Sequence, residues 1–242
     1  MDIENQMKTL RLHGMNTRWK ALKETREHNE LSINEALELL LQGEALERSN
    51  RRFERLKKSA RFRYQASIEE LHYDASRGIS RSQITELATG DFIEKGEALL
   101  ITGATGCGKS FLVSALGHQA CALGYKVAYF NTQKLLIQTK MTRIDGSAIK
   151  YFEKLAKTQL LILDDFGLAN LQKQQQMDLM EIIEDRHAKT AIIIASQLPV
   201  GSWYEIIGEA TIADAILDRL VHTSHRIELK GESLRKKTVI LS

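Results

Sequence analysis

The chain has 242 residues with 34 basic and 31 acidic side chains, 43% hydrophobic residues and two cysteines. That is enough for one large core with a smaller appendage, and the isolated cysteines, Cys107 and Cys121, exclude a disulfide framework and suit a reducing compartment. No apolar run approaches the roughly 18 to 20 residues of a membrane span, and the charged N-terminus has no signal-peptide core, so a cytoplasmic protein with no membrane partner is expected.

From Asp2 to Glu27 the sequence is helix-forming. Leu10, Met15, Trp19 and Leu22 make an apolar stripe that is interrupted around Gly14. Ser32-Ile33-Asn34-Glu35 is a capping box, and it opens a long helical pattern through Leu39, Leu40 and Leu46 toward Arg63. The end of this pattern is basic: Arg48, Arg51, Arg52, Arg55, Lys57, Lys58, Arg61 and Arg63 stand against the single acid Glu54. That stretch is net +7 in a chain whose total is +3, so the remainder is net −4. Phe53, Leu56 and Ala60 recur at helical spacing, giving one packing edge beside a concentrated positive surface. Two readings stand: a solvated helix face, or a surface for nucleic-acid phosphates.

Tyr64 to Gly78 reads as a connector, with Ser67-Ile68-Glu69-Glu70 as a second capping box over a short helix. A helical N-terminal domain over residues 1–66 and a second domain over 67–242 follow from that placement. A short helix begins at Ser80 to Gln83. Five apolar runs then read as buried strands: Ala98 to Thr102, Lys126 to Phe130, Gln159 to Leu163, Ala191 to Ala195 and His225 to Leu229. Helical patterns separate them, which predicts an α/β fold with a parallel sheet covered on both faces.

The first strand breaks into Gly103-Ala104-Thr105-Gly106-Cys107-Gly108-Lys109-Ser110, which fits G-x-x-x-x-G-K-[ST]. Glycines let successive backbone N–H groups converge on phosphate oxygens, and the helix that follows adds its positive end. Lys109 is expected to neutralise the β and γ phosphates of ATP, and Ser110 to help coordinate Mg²⁺. The third strand ends in Asp164-Asp165, where a doubly wound sheet places its ligand. Asp164 is the candidate Mg²⁺ ligand, and Asp165 the group that orients the attacking water. The fourth strand ends in Ser196-Gln197, whose polar side chains fit between the acidic pair and the γ-phosphate or simply finish a strand. Arg219 has Ala215 and Ile216 in its own preceding turn and so lacks a local acidic partner. Arg235 has Glu232 three residues before it and can pair with it.

These marks, together with LLILDDFG over 160–167, Asp218-Arg219-Leu220 and the run Ile227 to Arg235, resemble the IstB type of transposition helper ATPase. That family is related to the DnaC helicase loaders and DnaA initiators within the AAA+ group. The resemblance spans nearly the whole chain and implies a three-layer αβα core with a five-stranded parallel sheet behind an all-helical N-terminal domain. It implies an ATPase that assembles as a homo-oligomer on duplex DNA and assists a cognate transposase. Carried onto this sequence, Asp164 and Asp165 match Walker B, Ser196 and Gln197 match sensor 1, Arg219 the arginine finger and Arg235 sensor 2. Two positions depart from the pattern: Gln197 stands where asparagine is commoner, and Asp165 is one methylene shorter than the glutamate of many relatives. A helicase loader shares almost every motif. A small-molecule kinase shares the loop, but the sequence has no obvious insertion to bind a second substrate.

Overall fold

The computed structural model describes residues 2–222 and 224–234. Arg235 therefore lies outside the described residues. The chain divides into two compact units, Met1–Arg55 and Leu56–Ser242.

The first unit holds helices α1 (Ile3–Thr9) and α2 (His13–Glu24) and the greater part of α3 (Ile33–Ala60). Its core is Met7, Leu22 and Leu40, with Leu12, Met15 and Trp19 packed against them, while Leu10 is exposed. The interruption expected at Gly14 falls instead at Arg11, which has φ +59°. Gly14 lies inside α2 for a different reason. A Cβ there would stand 2.3 Å from the Gly43 carbonyl oxygen and 2.6 Å from the Glu44 Cα, so the glycine allows α2 and α3 to cross in backbone contact. The crossing is tied by Glu44, whose buried carboxylate accepts from the Gly14 and Met15 N–H groups at 2.8 and 3.2 Å. These are donors of the first turn of α2, which its own helix cannot satisfy. The first capping box forms as read: the Ser32 N–H and hydroxyl donate to Glu35, and Ser32 Oγ accepts from the Glu35 N–H.

In the second unit Ser67 and Glu70 make the box hydrogen bond at 2.9 Å, but only a turn follows. The cap is present and the apolar repeat that would propagate a helix from it is not. Helices α4 (Arg81–Thr89) and α5 (Asp91–Glu94) lead into the sheet. Its strands are β1 (Ala98–Gly103), β2 (Val127–Asn131), β3 (Leu160–Phe166), β4 (Ala191–Ser196) and β5 (His225–Leu229). All pair in parallel in the order β2-β3-β4-β1-β5. Leu99 to Ile101, Leu160 to Leu163 and Ile193 to Ala195 are all at most 1% exposed, as strands covered on both faces must be. Between them run α6 (Lys109–Ala122), α7 (Thr132–Ile144), α8 (Ala148–Ala156), α9 (Lys173–Arg186), α10 (Trp203–Ile207) and α11 (Ala210–Val221). The result is a three-layer αβα core with a five-stranded parallel sheet, preceded in the chain by a helical region. Because β4 inserts between β1 and β3, the ends of these three strands lie side by side: the phosphate loop, Ser196-Gln197 and the acidic pair.

Candidate functional site

The phosphate loop turns on three glycines with positive φ, Gly103, Gly106 and Gly108. At Gly103 a Cβ would stand 2.3 Å from the Leu229 carbonyl oxygen of β5, and at Gly106 it would stand 2.1 Å from Ser233 Oγ. Gly108 is the N-cap of α6 and no side chain caps that helix, so its first-turn N–H groups point at the loop without a side-chain acceptor. Lys109 is 6% exposed, and its ammonium donates to the Gly103 and Ala104 carbonyls at 2.6 and 2.8 Å. A buried ammonium held by loop carbonyls and, at 3.9 Å, by the Cys107 sulfur, beside helix N–H groups that no side chain caps, is chemically fitted to phosphate oxygens.

The acidic pair sits on a bulge. The β3–β4 register steps from Leu163 opposite Ile194 to Phe166 opposite Ser196, one extra residue on β3, and Asp165 takes it up at φ +57°. The two carboxyl groups therefore meet different surroundings. Asp164 is fully buried; it accepts from the Tyr129 hydroxyl, from the Asp165 N–H at 2.9 Å, and its carbonyl accepts from the Thr132 hydroxyl. Asp165 is partly exposed and accepts from Asn131 Nδ2 and Arg63 Nη1, both at 3.0 Å. Burial, and then the bond to Asp164, push the Tyr129 phenol above its ordinary pKa. Burial opposes the Arg63 charge, yet Tyr64, Asp165, Tyr129 and Asp164 more than offset it and raise its pKa.

Lys109, Ser110, Thr105, Asp165 and Gln197 line one cleft of about 490 Å³. Thr105 donates its hydroxyl to the Gln197 side-chain oxygen at 2.7 Å, which joins the loop to the end of β4. Ser196 is occupied structurally, donating to the Phe166 carbonyl and accepting from the Leu198 N–H. Cys107 is buried in the loop, and the Cys121 thiol is pushed up to about 12, chiefly by burial.

Arg219 does not join the cleft. It lies beside Lys95, Ala98 and Ala188, where the strands begin, so the length of β1, roughly 17 Å, separates it from its own phosphate loop. The local acid missing from α11 is supplied across the unit: Glu184 of α9 meets the Arg219 guanidinium at 2.6 Å. That corrects the expectation of an unpartnered arginine.

The basic stretch is also less uniform than its composition. Arg48 pairs with Glu44 at 2.7 Å and Arg51 with Glu47 at 2.9 Å, acids that precede the counted stretch. Arg63 reaches the acidic pair and lines the cleft instead of extending the basic face. Arg52 and Lys57 also have partners, while Arg55, Lys58 and Arg61 are exposed.

The sequence reading missed Tyr129 and Asn131. Both lie on β2 two residues apart, hence on one face, and Asn131 pairs in register with Asp164. The polar Asn at the end of an apolar strand was the available signal.

The sequence model for IstB-like ATP binding proteins matches residues 5–242. The chain belongs to that family. Among relatives of the IstB-like chain, the insertion sequence ATP-binding protein y4pL of Sinorhizobium fredii is 43% identical over 232 residues, covering 96% of this chain and 95% of that one. The insertion sequence IS1162 ATP-binding protein of Pseudomonas fluorescens is 41% identical over 196 residues, covering 81% and 85%. Among solved structures, the DnaC helicase loader superposes with TM-score 0.59 at 20% identity, over 69% of this chain and 98% of that one. DnaA from Aquifex aeolicus bound to AMPPCP gives TM-score 0.58 at 18% identity, over 74% and 55%. Those two likenesses are of fold. The IstB-like chain is a P-loop ATPase, and no described helix is long and apolar enough to cross a membrane.

Proposed function

We propose that this IstB-like chain is an ATP-dependent, DNA-associated ATPase that assembles with copies of itself on duplex DNA and assists a cognate transposase. The observation that carries the chemistry is the single cleft in which Lys109, Ser110, Asp165 and Gln197 converge. The transposition reading is supported by family membership and by relatives of matching length named for insertion sequences. The helicase-loader reading rests on a likeness at 20% identity and is the weaker for it.

In this reading Gly103 to Ser110 wrap the phosphates, and Lys109 turns from its loop carbonyls to the β and γ oxygens. Ser110 and Asp164 are the residues that would hold Mg²⁺. Bound there, Mg²⁺ supplies charge neutralisation on the transferring phosphoryl group. Asp165 and Gln197 orient the attacking water, Asp165 accepting its hydrogen bond from the shorter reach of an aspartate. Arg219, remote from its own loop, acts on the nucleotide of a neighbouring copy after leaving Glu184. Residues 1–66 act as the DNA- and partner-binding domain ahead of the ATPase domain 67–242, in the cytoplasm.

DNA binding measured against salt tests the assembly half of this reading. Contacted phosphates release counterions, so log K falls with log salt at about −0.9 per contact. Replacing the exposed Arg55, Lys58 and Arg61 with Gln should flatten the slope by roughly 2 to 3 units, equally on unrelated duplexes, with ATP binding intact. An unchanged slope would move DNA contact off this segment.

A further inference from the structure

Arg63 lines the cleft without belonging to any of its ATP-binding motifs. Arg61, at φ +60°, follows the end of α3, and the next three side chains each pack within the second unit. Phe62 lies over Gly117, where a Cβ would stand 2.3 Å from its Cε1, and meets His118 edge-on with ring centroids 4.4 Å apart. Tyr64 approaches Phe111, in the first turn of α6, at 6.4 Å between centroids. Between these two anchors Arg63 extends to the acidic pair, with Nη1 3.0 Å from Asp165 Oδ2 and 3.7 Å from Asp164 Oδ2.

We propose that Arg63 is the resident counter-cation of the acidic pair, and that the divalent metal arriving with the nucleotide must displace it from Asp164 and Asp165. The proposal rests on the reading of Asp164 as a metal-holding carboxylate. Two adjacent carboxylates repel, and the guanidinium relieves that repulsion as the cation that, among the described residues, pairs with both of them. The same contact occupies one oxygen of Asp165, whose Oδ2 accepts from both Asn131 Nδ2 and Arg63 Nη1. A metal ion and a guanidinium on one oxygen pair repel each other, so arrival of the metal weakens the Arg63 contact. The Arg63 side chain is 43% exposed and can leave for water at modest cost, which makes the contact releasable. Arg63 is then a positioning residue: it orders the acids before loading and sets the metal concentration at which Asp165 is freed.

Equilibrium binding of a fluorescent, non-hydrolysable ATP analogue, titrated with Mg²⁺, reads this without turnover. Arg63→Gln should reach half-saturation at roughly three- to tenfold less Mg²⁺ than wild type, with analogue affinity in EDTA within about twofold. Arg63→Lys should fall between, since it keeps the charge and loses the planar fork. An unchanged Mg²⁺ requirement in Arg63→Gln, with Asp164→Asn raising it strongly, would overturn the proposal and leave the metal reading standing. A raised requirement in Arg63→Gln would also overturn it, and would make Arg63 a phosphate ligand. If Asp164→Asn itself leaves the Mg²⁺ dependence unchanged, the metal reading fails and takes the proposal with it.

Discussion

Tyr129→Phe removes one oxygen from the fully buried surroundings of Asp164 and should be costly for its size. The phenol donates to Asp164 Oδ2, and among the described residues the other close donor to that carboxylate is the Asp165 N–H on Oδ1, with Arg63 at 3.7 Å. A hydrogen bond to a charged group is worth about 1.5 to 3 kcal/mol when its loss leaves a buried acceptor short. For a unit of this size, at about 2 to 4 °C per kcal/mol, the melting temperature should drop by roughly 3 to 12 °C. Urea unfolding followed by Trp203 fluorescence in a Trp19→Phe background reports the right unit, because Trp203 is fully buried there and Trp19 lies in the other. The pH dependence has a definite sign. Burial and Asp164 raise the Tyr129 pKa, so its contribution is complete below about pH 10 and is lost as pH rises through the folded value. The gap between wild type and Tyr129→Phe should therefore narrow above pH 10. In an Asp164→Ala background the same substitution should cost almost nothing, since the hydroxyl has already lost its acceptor. An equal cost in both backgrounds, or a loss below about 0.5 kcal/mol in the first, would refute the argument.

Two further outcomes are expected. Gly14→Ala places a Cβ against the backbone of Gly43 and Glu44, so it should destabilise the helical unit by at least about 1 to 3 kcal/mol, seen as an early Trp19 transition in a Trp203→Phe background with the ATPase unit unaffected. Mixing Arg219→Ala with Lys109→Ala protein should restore part of the ATPase activity that each lacks alone, because a neighbouring copy can supply a finger worth about 10³ to 10⁵ in rate. Absence of any rescue in assemblies shown to be mixed would confine Arg219 to its pairing with Glu184.

Where the sequence was readable, the signal was local. The strands declared themselves as aliphatic runs bounded by turn residues, and their observed limits differ from the reading by no more than three residues. The phosphate loop and Ser32–Glu35 were legible because their hydrogen bonds close within a few residues. What escaped was decided by partners distant in sequence. Gly14 reads as an interruption in sequence, and its reason, the Gly43 backbone packed against it, is 29 residues away. Arg219 looked free because Glu184 is 35 residues away, and Arg63 looked like one more basic residue because its acids lie about 100 residues on. The left-handed turn at Asp165 was likewise hidden, since a bulge is a relation between two strands and leaves no mark in one.

The central claim is that Lys109 binds the phosphates while Asp165 serves the chemical step, and one paired measurement separates them. Affinity for labelled ATP and steady-state hydrolysis should be measured on the same preparations of wild type, Lys109→Ala and Asp165→Asn. Lys109→Ala should bind ATP at least tenfold more weakly, whereas Asp165→Asn should bind as wild type does and fall to background turnover. Unchanged affinity in Lys109→Ala, or wild-type turnover in Asp165→Asn, would contradict the account.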